Sequence, residues 1–164
     1  MTGLITIKET ITLAQAEDLS ALTAGVVTAT VAPAMATELL AATFKGTDVL
    51  TVTVKGEYTA ADLIALNDLT AGKITLNAAS LANTATYSET AANLVKAFNG
   101  ITGLTGDVTI SSGAATITEL KAINKATSGD ITVTNDQTLS GSAKDLVEAL
   151  KDVTLSADST VEVT

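Results

Sequence analysis

The chain repeats itself. DITVTNDQTLSGSAKDLVEALKDV, starting at Asp130, is a diverged copy of the segment from Lys73 to Ile101. A supersecondary unit copied in tandem favours an elongated array over a globule built around one pocket. Three shorter units align on a helix and the strand after it: AEDLSALTAGVVT (Ala16 to Thr28), AADLIALNDLTAGKIT (Ala60 to Thr75) and ITELKAINKATSGDIT (Ile117 to Thr132). Leu19, Leu63 and Leu120 correspond in them, as do Gly25, Gly72 and Gly129, which read as C′ glycines closing each helix. Longer units start at Ser88 and Ser140, with a third copy from Met35. Their alternation gives one domain over 1–164, with super-repeats at about 5–50, 51–106 and 107–158 and a final strand at 159–164.

Periodicity changes type inside each unit. TVTV (Thr51 to Val54), ITLN (Ile74 to Asn77), DVTI (Asp107 to Ile110) and ITVT (Ile131 to Thr134) alternate apolar residues with Thr, the pattern of strands half buried in a sheet. In SAKDLVEALKDV, Ala143, Leu146, Val147 and Leu150 form one apolar stripe with Lys144, Asp145, Glu148 and Lys151 outside it, and Ser140 or Ser142 is placed to cap the helix. The expectation is parallel strands centred near Val27, Val52, Ile74, Val108 and Ile131, with helices at 60–70, 89–98, 117–126 and 142–151. One helix per crossover makes successive strands parallel. The fold class expected is therefore α/β: a right-handed solenoid of about six coils, with one parallel sheet on one face and helices on the other. The layout is that of a leucine-rich repeat, but the LxxLxLxxN spacing is missing.

Composition fits thin, regular layers. Hydrophobic residues make up 46% of the chain, yet it has only two Phe, two Tyr and no Trp, so the core is built of Ala, Val, Ile and Leu. The formal charge of −9 repels phosphate backbones and anionic membranes, which argues against nucleic acid as a partner. With no Cys and no His, thiol nucleophiles, imidazole bases and the usual zinc sites are excluded. No stretch reaches the roughly 20 apolar residues of a membrane span, and MTGLITIKET shows no secretory signal. Met1 reads as an added start codon, and the chain as a fragment of a longer repeat protein.

TGDVTISSGAATITELKAINKATSGDITVTNDQTLSGSAKDLVEAL, Thr105 to Leu150, and in weaker form most of the chain, resembles the strand–helix repeat regions of very large bacterial secreted and cell-surface proteins, cyanobacterial ones included. That resemblance implies an extracellular or cell-surface location and an adhesive or surface-coat role. Such repeats often sit beside calcium-binding nonapeptide arrays, but the GGxGxDxUx nonapeptide itself is absent here.

Three features are candidates for function. Thr28, Thr53, Thr75, Thr109 and Thr132 should stack into a ladder on the outer sheet face, either as a binding surface for ice, glycan or protein, or because β-branched Thr suits an exposed strand. Asp107 and Asp130 each follow a Gly, and Asp48 and Asp158 sit in similar turns; they could share Ca²⁺ or serve ordinary turn chemistry, and Lys73 interrupts the row. No other cofactor is implied. Ile5 and Ile7 at one end, with Val161 and Val163 at the other, leave strand edges for neighbouring repeats or copies of the chain to cover. The function expected is a non-enzymatic structural or adhesive module, self-associating end to end. A binding module using the Thr face comes second, and a carboxylate-based hydrolase ranks last because no His can activate a Ser or Thr.

Overall fold

The computed structural model describes residues 2–77, 87–102 and 104–164. The part of the Lys73 to Ile101 copy between 78 and 86, and the start-codon reading of Met1, lie outside them. The described residues form a mixed α/β arrangement of twelve strands and six helices. Strands are β1 (Ile5–Ile11), β2 (Val27–Val31), β3 (Ala34–Met35), β4 (Val49–Lys55), β5 (Ile74–Leu76), β6 (Tyr87–Thr90), β7 (Ile101–Thr102), β8 (Val108–Ser112), β9 (Ile131–Val133), β10 (Thr138–Gly141), β11 (Val153–Thr154) and β12 (Thr160–Val163). Helices are α1 (Leu13–Leu22), α2 (Ala36–Ala41), α3 (Ala60–Leu69), α4 (Ala91–Phe98), α5 (Ile117–Ala126) and α6 (Ala143–Leu150). The five strands and four helices expected from periodicity are all present.

Every strand pairing is parallel. Paired strand residues lie 20 to 27 positions apart in the chain, so each strand–helix unit returns the chain beside its starting strand. The pairing does not make one continuous sheet. It divides into a six-stranded sheet (β1-β2-β4-β5-β7, with β3 also on β4), a four-stranded sheet (β11-β9-β8-β6) and the pair β10-β12. The reason is that some units carry two short strands instead of one long one. β5 pairs β7 while β6 pairs β8, so β5 and β6 fall in different sheets, as do β7 and β8. Likewise Asn135 and Asp136 separate β9 from β10, which pair with β11 and β12 respectively.

The core lies between strands and helices. Val27, Leu50, Val52, Val54, Ile74, Val108, Ile110, Ile131 and Val133 point in from the strands. Leu39, Leu63, Leu66, Leu94, Leu120, Ile123 and Leu146 meet them from the helices, and consecutive helices from α2 to α6 pack side by side. Three of the four aromatics gather at one place: Tyr58 and Tyr87 share a hydrogen bond between phenol oxygens 2.5 Å apart, and Phe98 packs edge-on to Tyr87 at 5.4 Å between ring centroids. Burial pushes both phenols above their ordinary pKa.

Helix starts follow a local rule. Thr12, Thr59, Thr90, Thr116 and Ser142 each accept a hydrogen bond from the backbone N–H three residues on, which satisfies one of the orphan donors of the first turn. Gln15, Asp62 and Glu119 complete capping boxes on α1, α3 and α5. Ser142 caps α6, whereas Ser140 lies in β10. The α6 stripe differs from expectation as well: Leu146 and Ala149 are buried, but Val147 is 74% exposed and Ala143 is also exposed. Both point to the side of α6 away from α5, where among the described residues no further helix packs.

Candidate functional site

The Thr face is real but broken into strips. Thr53 pairs with Thr75, and Thr75 with Thr102, in the first sheet. Thr109 lies between Ser88 and Thr132, and Thr132 pairs with Thr154, in the second. No ladder joins these two strips, because they belong to different sheets. Thr28 stands in register with Thr6 on one side and with Val49, itself 38% exposed, on the other, so the five threonines do not form one row. Thr28, Thr53, Thr75 and Thr109 are half-buried and Thr132 is exposed.

Asp107 Oδ1 accepts the backbone N–H of Asp130 at 2.9 Å, which ties the start of one strand to the start of the next. The carbonyl of Asp130 in turn accepts from Val108 N–H at 2.8 Å. Val26, Lys73 and Asp152 place their carbonyls in the same way against Ile5, Val52 and Ile131, so this step of the repeat uses the backbone and accepts any side chain. Among the described residues no group of three or more His, Cys, Asp or Glu side chains is assembled to hold a metal ion.

Asp48 has a different part. It is fully buried: its carboxylate accepts from Ser20 Oγ at 2.6 Å, Val27 N–H at 2.9 Å and Lys45 N–H at 3.3 Å. The Lys45 ammonium sits 3.8 Å from Asp48 Oδ1 and donates to the carbonyls of Ser20, Thr23 and Gly25 at 2.6 to 3.0 Å. A buried carboxylate and a lysine thus close the corner where α1 passes into β2 and the chain returns after α2.

That corner belongs to a motif the alignment on glycines did not isolate. The end of α1 reads SALTAG, that of α3 NDLTAG and that of α5 NKATSG. Its Thr turns back: Thr23 Oγ donates to Gly3 O at 2.6 Å, Thr70 Oγ lies 3.0 Å from both Asp48 O and Leu50 O, and Thr127 Oγ donates to Gly106 O at 2.8 Å. Each also accepts the N–H of the following glycine at 2.9 to 3.0 Å. Its first residue reaches forward. Ser20 bonds Asp48, Asn67 Nδ2 donates to the carbonyls of Lys96 and Ala97 at the end of α4, and Asn124 Nδ2 donates to Lys151 O beyond α6. Six residues therefore fasten a unit to the strand before it and to the helix or turn after it.

The glycines of the motif do not act as C′ residues. Thr23, Thr70 and Thr127 are the C-caps, in extended conformation, and none of Gly25, Gly72 or Gly129 has positive φ. They are glycine because of crowding. A Cβ would fall 2.5 Å from Gly3 O at Gly25, 2.2 Å from Leu50 O at Gly72 and 2.4 Å from Gly106 O at Gly129. The signal for the motif was present in the three copies as a shared Thr two residues before each glycine.

Thr70→Val provides a test. The methyl replaces an oxygen that accepts both Leu50 N–H and Gly72 N–H at 2.9 Å, so the variant is expected to lose about 2 kcal/mol, the cost of leaving buried donors without partners. Thr127→Val leaves one N–H, that of Gly129, without an acceptor and Gly106 O without the hydroxyl donor, and should lose less than the variant that strands two N–H groups. Urea midpoints at unchanged m-value would read both, and equal midpoints for parent and Thr70→Val would contradict the latch.

No protein-family model matches the chain, and searches of curated proteins and of solved structures return no match.

Proposed function

We propose that the chain is a non-enzymatic structural repeat module, exported or displayed at a cell surface, whose stacked units space or present other domains. In this reading the units wind as a right-handed α/β solenoid of about six coils. The observation that carries it is the threefold Ser/Asn-x-x-Thr-x-Gly motif, which uses buried threonines and half-buried or buried Ser and Asn side chains at the helix ends to join one unit to the next. Groups held in that way are braced rather than poised for chemistry. The described helices include none long and apolar enough to cross a membrane.

A tandem fusion of two copies tests the reading by small-angle X-ray scattering. A module that spaces domains is expected to give one elongated, continuously curved particle of larger maximum dimension and unchanged cross-section. Two bodies tumbling independently about the junction would count against it.

The Thr strips favour a second reading, a binding face for ice, glycan or protein, since Thr53 with Thr75 and Thr109 with Thr132 keep their register at the ~4.8 Å strand spacing. Thr75→Lys and Thr132→Lys would abolish such binding. On the structural reading Thr132→Lys, at an exposed site, alters little but surface charge, with stability within about 0.5 kcal/mol of the parent.

A further inference from the structure

Both tyrosines of the chain meet at one point. With two Tyr and no Trp, Cys or His in 164 residues, these two phenols are its most readily oxidised one-electron donors. They stand 29 positions apart in the sequence, and the fold sets them hydroxyl to hydroxyl at 2.5 Å. Both side chains are buried, Tyr58 at 3% exposure and Tyr87 at 1%. Tyr58 lies in the turn from β4 to α3, and Tyr87 opens β6 in register with Val108. Since β4 belongs to the six-stranded sheet and β6 to the four-stranded one, the contact bridges the break between them. Elsewhere the buried residues of this core are almost all aliphatic, so filling space does not by itself call for a pair of phenols.

The two rings are not in line. With the oxygens 2.5 Å apart, an end-to-end approach would hold the ring centres well beyond the 6.0 Å that separates them, so the rings lean together in a V with 36° between their planes. That turns one ortho carbon of each ring toward the other ring. Ortho carbons carry much of the unpaired electron of a phenoxyl radical, and coupling is fast when the reacting atoms are held at about 3 to 3.5 Å. In an ortho-linked biphenol the two oxygens share a hydrogen bond, as they do here already. Phe98 packs edge-on against Tyr87 at 88° and braces that ring. Burial raises both phenols above their ordinary pKa, so each is neutral and an electron leaves together with the proton. Away from bulk water, the nearest reaction partner of a radical on one ring is the other ring.

We propose that Tyr58 and Tyr87 form an oxidative cross-linking site, at which a peroxide acting through a one-electron carrier couples the two rings into a dityrosine. Each phenol gives up one electron and one proton. The two phenoxyl radicals form a carbon–carbon bond between ortho carbons, and the hydrogens on those carbons move to the oxygens and restore both hydroxyls. The two electrons and two protons go to the peroxide, whose O–O bond breaks; hydrogen peroxide yields two waters. The new bond ties two consecutive units and closes the chain between residues 58 and 87, a role that no disulfide can take in a chain without cysteine. It concerns this pair alone and does not depend on where the protein is displayed or what it spaces.

Photo-oxidised tris(bipyridine)ruthenium with peroxodisulfate supplies a small one-electron carrier and a peroxide, and tests the site on the folded chain. N-acetyltyrosine amide in a parallel tube checks that the oxidant couples phenols. The expected product is a monomer lighter by two hydrogens, with dityrosine fluorescence and a Tyr58–Tyr87 linked peptide after proteolysis, at a yield per chain independent of protein concentration. Unfolding the parent in guanidinium before oxidation should lower that yield severalfold, and this comparison holds whether or not Tyr58→Phe and Tyr87→Phe, which should give no coupling within the chain, fold well. Purified cross-linked monomer should unfold at a higher urea midpoint than the parent, because the link restricts the unfolded chain. No coupled monomer while the amide couples, coupling only between chains, equal yields from folded and unfolded parent, or a lower urea midpoint after cross-linking would each overturn the proposal.

Discussion

Gly72→Ala is expected to destabilise the chain by about 3 kcal/mol or more, at or beyond the upper end of what overpacking usually costs, while Gly3→Ala leaves the isolated chain unchanged. One methyl is added in both. At Gly72 it would lie 2.2 Å from Leu50 O and 2.7 Å from Leu50 N, and these are backbone atoms of a central strand that cannot swing aside as a side-chain tip could. Relief would require β4 and the end of α3 to part, which breaks the Thr70 latch and the Ala71 N–H bond to Asp48 O at 2.9 Å. Denaturant melts of the two variants beside the parent decide the matter. Equal midpoints for Gly72→Ala and Gly3→Ala would show that the close approach of strands is not what fixes glycine at that position.

Asp48→Ala should be the most damaging side-chain deletion, at about 3 kcal/mol, because removing one partner from a buried ion pair leaves the other charge and its hydrogen-bonding neighbours unmatched. Ser20 Oγ, Val27 N–H and Lys45 N–H would all lose their acceptor. Lys45 is one-third exposed, so water recovers part of the loss, which keeps the figure at the lower end for such pairs. Asp48→Asn retains an acceptor for Val27 N–H but turns an NH₂ group toward the cluster's donors, and should fall between. Thermal unfolding would order the three; a parent-like Asp48→Ala would show that the cluster is incidental.

Strands and helices were legible in the sequence for a local reason. Alternation in TVTV and DVTI, and a Ser placed before the apolar stripe of α6, are decided within one unit, and the structure follows them. What was not legible depends on contacts between units. Gly72 carries the same letter whether it turns a helix end or admits a strand, and only the position of Leu50 O distinguishes the two. Asp48 looked like a turn residue beside Asp107, yet it is fully buried while Asp107 is exposed, because Ser20 and Lys45 from the preceding helix and turn close over the first alone. Val147 has the periodicity of a core residue and is exposed because burial on that side depends on a neighbouring helix. The Thr ladder was projected as continuous since each strand offered a Thr in phase; the paired short strands then shifted its members into separate sheets.

The side-by-side packing of α2 to α6 behind parallel strands has a geometric consequence. Hydrogen-bonded strands advance ~4.8 Å per unit, whereas packed helices need roughly 8 to 10 Å. In the solenoid proposed above, a row of helices would therefore be about twice as long as the row of strands it covers, and the body would bend into an arc with the helices on the outer circumference. The Thr strips then line the inside of the curve, so any surface they touch has to be convex and narrow. A broad flat surface would meet the helices first.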